Sequence, residues 1–383
     1  MSRPDPITTI TSAEYYQLMS FLEESYNHPE NFFQSYYPQV WKKQTIQYEN
    51  RYLIKKRNKI VSHVGLFPLI FVMDGKTEVK MGGIGGVATK PDYRGQGLMA
   101  KLLKYTIHKM EEKKNCLSIL WGSRHRYGHF GWELSGREFE FVITKGTLER
   151  LDYLHLINIW RYKGNKNDLE KIIQLHKKDP LRIKRTKSEY SQIFKKTHIE
   201  TWLGKKGHNR SYVVLDTDKK SIVEFGGNSQ IFLETILSIL KKMNLEKITI
   251  KSPVYPSELV KTCYRIADDW TVRPFVNIKI INLKETIKSF LPQIKSKWEK
   301  LNLTGEYTLI LKIKETREIV QLKLDATKNV EITDKMIPGK ILTLSEKEMV
   351  RLLFDSCDRA NNSDGILNLI FPLDFYIWEL DRI

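Results

Sequence analysis

Cysteine is scarce in this sequence: Cys116, Cys263 and Cys357 stand alone, too far apart for a CxxC or Cys/His pattern. That excludes a disulfide framework and a structural zinc site and leaves buried thiols as the expectation. Long apolar runs are lacking too. The longest, Val64 to Met73, is interrupted by Pro68 and falls short of the roughly 20 residues that span a bilayer. Met1 to Thr11 holds Arg3, Asp5 and two prolines but no apolar segment. It does not read as a secretory signal, so a cytoplasmic protein without a membrane span is predicted. Acidic residues are outnumbered, 45 against 63 Lys and Arg, for a net charge of +18. The excess is spread as Lys-Lys pairs from Lys42 to Lys347, with no RRM, zinc-finger or helix-turn-helix signature, so nucleic acid is not an expected partner.

What is present is an ordinary globular balance, 41% apolar and 28% charged, over 383 residues. A chain of this length exceeds one usual core, and three units fit its pattern. The first opens with a helical stretch, Ala13 to Ser25, and an aromatic loop holding Phe32, Phe33, Tyr36, Tyr37 and Trp41. Strand-like runs follow at 51–54, 60–68 and 69–73, with Asp74-Gly75 as a hairpin turn and 77–81 returning. Further strands are read at 117–121 and 139–144. A second mixed segment has helices at 168–176 and 230–243 and strands at 211–215 and 248–251. From Leu283 come a helix to Leu301, strand-like runs at 306–313, 319–325 and 330–332, and a helix at 345–354. The predicted fold class is α+β with mixed α/β sheets.

The chemistry concentrates after Lys80. Met81 to Thr89 reads MGGIGGVAT, and four glycines weaken a strand unless a bulge opens it or something approaches its backbone closely. Pro91 to Lys101 follows as PDYRGQGLMAK. From there Leu98, Met99, Leu102, Leu103, Ile107 and Met110 recur at helical spacing. A glycine loop opening a helix presents unpaired N–H groups and the positive end of the helix dipole, which suits a pyrophosphate. The GxxxxGK[ST] loop is absent, and GxGxxG fails because Leu98 to Lys101 holds no glycine.

On these residues the sequence resembles the GNAT superfamily of N-acetyltransferases. Its [QR]-x-x-G-x-[GA] loop is matched by Arg94-x-x-Gly97-x-Met99, with Met99 where Gly or Ala is usual. The longer string V-A-T-x-P-x-Y-R-G-Q-G-L-M resembles the enhanced-intracellular-survival branch, as does Tyr127-Gly128-His129-Phe130-Gly131-Trp132 for its Y-G-x-F-G-aromatic segment. The resemblance implies tandem GNAT folds followed by a sterol-carrier-protein-like domain. Residues 1–150 would be the catalytic unit, 151–283 a degenerate second GNAT-like unit and 284–383 the sterol-carrier-like unit. It also implies acetyl-CoA as cosubstrate without a metal, and a small-molecule or lysine amine as acceptor. Homo-oligomers occur in that branch.

Residue roles carry over position by position. Val87, Ala88 and Thr89 would pair with the pantetheine arm. Arg94, Gly95, Gln96, Gly97, Leu98 and Met99 would hold the pyrophosphate, with Ser123 also on the cofactor. Tyr127 would protonate the departing sulfur. The carboxylate of Ile383 would be the base, although better-known members end in an aromatic residue.

Plainer readings stand beside these. The glycines could mark only a bulge, and a tyrosine such as Tyr127 is in general a packing aromatic. His125 and His129 read as surface residues. Glu23, Glu24 and the aromatics at 32–41 could meet a cationic acceptor or be a helix face and its packing. The tail could dock as the base or only close the third unit. No glycine-rich anion loop follows a strand of the second segment, so no cofactor is expected there. The alternative function is a lipid or hydrophobic-ligand binder built on the third unit, with CoA regulatory.

Overall fold

The computed structural model describes residues 6–301, 305–335, 338–355 and 365–383; Cys357 lies outside them. The strand Lys59–Met73 turns at Asp74 and Gly75, both at positive φ, and returns as Thr77–Thr89, called here the glycine strand. An Asp-Gly pair favours such a turn because both positions tolerate the left-handed region. These two strands form the centre of an eight-stranded sheet. Its order runs Thr8–Thr9, Arg51–Lys56, Lys59–Met73, the glycine strand, Leu117–Leu120, Val276–Ile280 and Glu133–Ser135. The eighth strand, Leu181–Ile183, pairs with Lys59–Met73. The helix Leu98–Glu112 buries Leu98, Leu102, Leu103 and Met110 against this sheet, as its apolar spacing requires.

A seven-stranded sheet repeats the plan. Its order is Asp269–Arg273, Glu138–Thr144, Lys247–Pro253, Ser221–Gly227, Asn209–Asp216, Ile199–Lys206 and Ile159–Arg161. In both sheets a strand feeds a helix (Leu98–Glu112 or Ser229–Lys242) and then pairs parallel with the next strand for only part of its length. The chain therefore repeats one strand–helix–strand plan in tandem, as the resemblance implies. The sheets exchange strands: Glu138–Thr144 leaves the first unit for the second sheet, while Leu181–Ile183 and Val276–Ile280 return to the first. The third sheet has four strands in the order Val330–Thr333, Ile319–Leu324, Tyr307–Ile313 and Lys340–Leu344. Leu309, Leu311, Ile313, Leu322 and Leu324 are buried in one cluster with Ile287, Phe290 and Ile294 of the helix Leu283–Glu299. Cys116 and Cys263 are buried and unpaired. Among the described residues no helix is long and apolar enough to cross a membrane.

Candidate active site

The glycine strand splays. It pairs parallel with Leu117–Leu120 from Met81 to Ile84 and no further. On its other side the ladder with Lys59–Met73 shifts register between His63 and Gly65. Gly86 sits in this bulge at φ +61, where a Cβ would come within 2.9 Å of the Trp41 ring. Glycine is needed here for both reasons. The bulge is held from behind by His63, whose Nδ1 donates to the Gly86 carbonyl at 2.7 Å, the carbonyl being able only to accept. His63 is fully buried and its Nε2 has no partner. Burial, opposed by the Gly86 bond and reinforced by Arg51, lowers its pKa to about 3, so the ring is neutral.

Beyond the splay, a cleft of about 610 Å³ opens between the glycine strand and the helix Leu98–Glu112. Of the cofactor residues expected from the sequence, Val87, Ala88, Thr89, Arg94, Gly95, Gly97, Leu98 and Met99 line it. Gly97 is the N-cap of that helix at φ 72, with no side chain to occupy the first-turn N–H groups. A Cβ at Gly95 or Gly97 would meet nothing within 4 Å, so these glycines serve backbone conformation and access rather than packing. The open helix end, Arg94 and Arg126 give the cleft free N–H groups and positive charge of the kind that suit an anion. Gln96 and Ser123 stand outside the lining; Ser123 instead caps the short helix Arg124–Gly128, accepting from the Arg126 N–H.

A cavity of about 870 Å³ reaches Gly227 and Asn228 beside the corresponding helix of the second sheet, and that helix carries its own side-chain cap. Its N-cap is Asn228, whose side chain accepts from the Ile231 N–H at 3.1 Å. Gly226 and Gly227 before it are filled positions, since a Cβ at Gly226 would lie 2.7 Å from Tyr212.

Tyr127 is buried in the same cluster as Val87 and Leu98, behind Gly122 and edge-on to Trp132. Burial raises its phenol above the usual value, with Arg126 acting the other way, so it carries a proton at neutral pH. Two residues of this region gave no signal in the sequence. Tyr26, at the end of the helix Tyr15–Tyr26, donates its hydroxyl to the Val87 carbonyl at 2.9 Å and lines the cleft. Arg126 enters the cleft from the segment preceding Tyr127. A tyrosine beside Val87 is 61 residues away along the chain, beyond any local pattern.

Ile383 lies on the opposite flank. Its side chain packs where a Cβ of Gly83 would be, and its carboxyl carbon is 3.8 Å from the position of a Gly85 Cβ. It also lines a second cavity, of about 550 Å³, together with Gln39, Arg51, Phe67, Glu189 and Gln192. Arg51 is buried over the Phe67 ring and bonds the carbonyls of Leu66 and Val40; burial lowers its pKa to about 9. The aromatic loop closes this flank: Phe33 and Trp41 are buried in one cluster with Phe67, and Ile383 packs on it. Glu23 is buried, Glu24 pairs with Lys90, and His125 and His129 are exposed.

Residues 6–135 match the family described as acetyltransferase (GNAT) domain. No curated protein matches the sequence. Among solved structures, a GCN5-related N-acetyltransferase from Anabaena variabilis is similar over 99% of this chain and 100% of its own, at 17% identity and a TM-score of 0.71. A GCN5-related N-acetyltransferase from Kribbella flavida covers 99% and 98%, at 13% and 0.70. Eis1 from Mycobacterium abscessus covers 99% and 100%, at 8% and 0.65. Residues 6–135 are thus similar to the GNAT acetyltransferase domain family, and the chain as a whole shares the fold of these solved proteins.

Proposed function

We propose that the protein moves the acetyl group of acetyl-CoA directly to a primary amine. The observation that carries this is the splayed glycine strand, with a phosphate-suited cleft on one flank and Ile383 on the other. Val87 to Thr89 would bind the pantetheine arm and Arg94 to Met99 the pyrophosphate, with Gln96 and Ser123 reaching the ligand only at the rim. A protonated amine must lose a proton before it attacks, since its reference pKa is about 10.4. The Ile383 carboxylate would take that proton, directly or through water. As the N–C bond forms and the C–S bond breaks, Tyr127 would give its phenolic proton to the sulfur, and the second proton of the attacking nitrogen would pass through water to the phenolate left on Tyr127. The chemistry uses no metal.

On this reading residues 1–150 are catalytic, 151–283 form a degenerate unit whose helix end is capped by Asn228, and 284–383 form a sterol-carrier-like unit. The amine would enter from the cavity beside Ile383. The packed core of the third sheet gives the lipid-binding alternative no support. Acetyl-CoA mixed with a panel of primary amines, read by thiol release, tests the proposal. Release that depends on the amine and on Tyr127 is expected; a folded protein that releases no thiol with any amine contradicts it.

A further inference from the structure

The segment from Tyr376 to Ile383 is tied down at nearly every polar group. Tyr376 donates its hydroxyl to Glu138 at 3.1 Å, and Trp378 donates its indole N–H to Asp179 at 2.7 Å. Glu379 accepts from Lys219 and Lys251, and the Leu380 carbonyl accepts from buried Lys196 at 2.8 Å. Arg382 pairs with Glu138. At Asp381 the guanidinium of Arg185 makes a two-point bond, Nε to Oδ1 at 2.6 Å and Nη2 to Oδ2 at 2.7 Å. The same guanidinium also bonds both oxygens of Glu224, which in turn accepts from the Tyr212 hydroxyl. All three ionic side chains are almost wholly shielded from solvent.

This triad joins three parts of the molecule. Arg185 follows Leu181–Ile183, a strand of the first sheet; Glu224 belongs to the second sheet; Asp381 lies two residues before Ile383. His176, Glu224 and Asp381 bring donor atoms within 4.8 Å of one another. His176 Nε2 has no partner, but both carboxylates are already taken by the guanidinium, whose positive charge would oppose a cation beside it, so the group is an ion-pair clamp. A bidentate, desolvated Arg–carboxylate bond fixes angle as well as distance, which a lysine cannot do.

We propose that Arg185 and Asp381 are positioning residues, through which the second GNAT-like unit holds Ile383 against Gly83 and Gly85 of the first unit's site. This gives a unit whose own helix end is capped by Asn228 a part in the reaction. The role in turnover rests on the acetyl-transfer reading; the clamp itself does not.

The test uses the full chain with Asp381→Asn, which keeps the side-chain shape and removes the charge that Arg185 grips. Arg185→Lys, which keeps the charge and loses the fork, serves beside it and keeps the question open should the first variant not fold. Circular dichroism and acetyl-CoA titration first show that each is folded and binds as wild type. Carboxypeptidase Y then reports tail opening, and thiol release from acetyl-CoA with Nα-acetyl-lysine amide as probe reports turnover. Release of Ile383 is expected to rise about ten-fold or more as the tail opens locally. Turnover is expected to fall about ten-fold or more at an unchanged KM for acetyl-CoA. Unchanged release of Ile383 from a folded variant overturns the clamp. Faster release with unchanged turnover overturns the positioning role. A wild-type protein that binds no acetyl-CoA defeats the acetyl-transfer reading instead, and the carboxypeptidase rates still decide the clamp.

Discussion

Acidification should destabilise the glycine strand through His63, and the size of the effect can be worked from the structure. The ring is fully buried, spends its one N–H on the Gly86 carbonyl, and offers Nε2 to no partner, so a second proton has nowhere to be satisfied. Its folded-state pKa of about 3 lies below the unfolded reference of 6.5. Between those values the unfolded chain binds a proton that the folded chain refuses, so this contribution is fully present above pH 6.5 and is lost as pH falls toward 3. At about 1.4 kcal/mol per pH unit, the loss from pH 6.5 to 5 is about 2 kcal/mol.

Asp179 acts in the opposite sense. Burial raises its folded pKa to about 6 from the usual 3.8, so below pH 6 the folded state takes up the proton first and gains stability. His176, fully buried and held well below 6.5 by burial, adds a slope of the same sense as His63, so wild type should lose stability from pH 7 to 5. His63→Asn, which keeps an N–H donor for Gly86 but does not titrate, removes the His63 slope alone. Urea unfolding of both proteins from pH 7 to 5, followed by tryptophan fluorescence, checks this. The variant should be less stable at pH 7 by a constant packing loss and should close that gap by about 2 kcal/mol at pH 5. Parallel pH profiles would refute the argument, because His63 would then be titrating as an exposed histidine does.

Three further outcomes are expected. Tyr127→Phe should lower turnover by about 10²-fold to 10⁴-fold, the range for a lost general acid, with acetyl-CoA affinity nearly unchanged; unchanged turnover would make Tyr127 a packing residue. Extending the chain by a few residues beyond Ile383 moves the carboxylate away from Gly85 while leaving the tail's ion pairs in place; wild-type turnover in that protein would remove Ile383 as the base. Acetyl-CoA should bind at one site per chain, since the Asn228 side chain already occupies an N–H of the second helix end; two equivalent sites by calorimetry would contradict this.

Local pattern made most elements legible. The helix from Leu98, the Asp74-Gly75 turn and the alternating strands of the third sheet follow from periodicity and turn chemistry, and the structure has them at 98–112, 73–77 and 307–324. The loop from Arg94 to Met99 was legible for the same reason, because glycine before a helix is a local signal. The exchange of Glu138–Thr144, Leu181–Ile183 and Val276–Ile280 between sheets was not, since pairing partners lie more than a hundred residues apart and leave no trace in either strand's own pattern. Tyr26 and Arg185 escaped notice likewise: a tyrosine on a helix face and an arginine after a short strand carry no mark of Val87 or Asp381.

The central claim is that the Arg94 to Met99 loop holds acetyl-CoA, and isothermal titration of wild type against Gly97→Glu tests it most directly. Gly97 stands at φ 72 at the open helix end with nothing within 4 Å of a Cβ, so a glutamate there costs about 1–2 kcal/mol of backbone strain without a core clash and sets a negative charge where the pyrophosphate would lie. Wild type should bind acetyl-CoA, and the folded Gly97→Glu variant should show no heat of binding. Equal affinity in the two proteins, or no binding by a folded wild type, would contradict the assignment of this cleft to the cofactor.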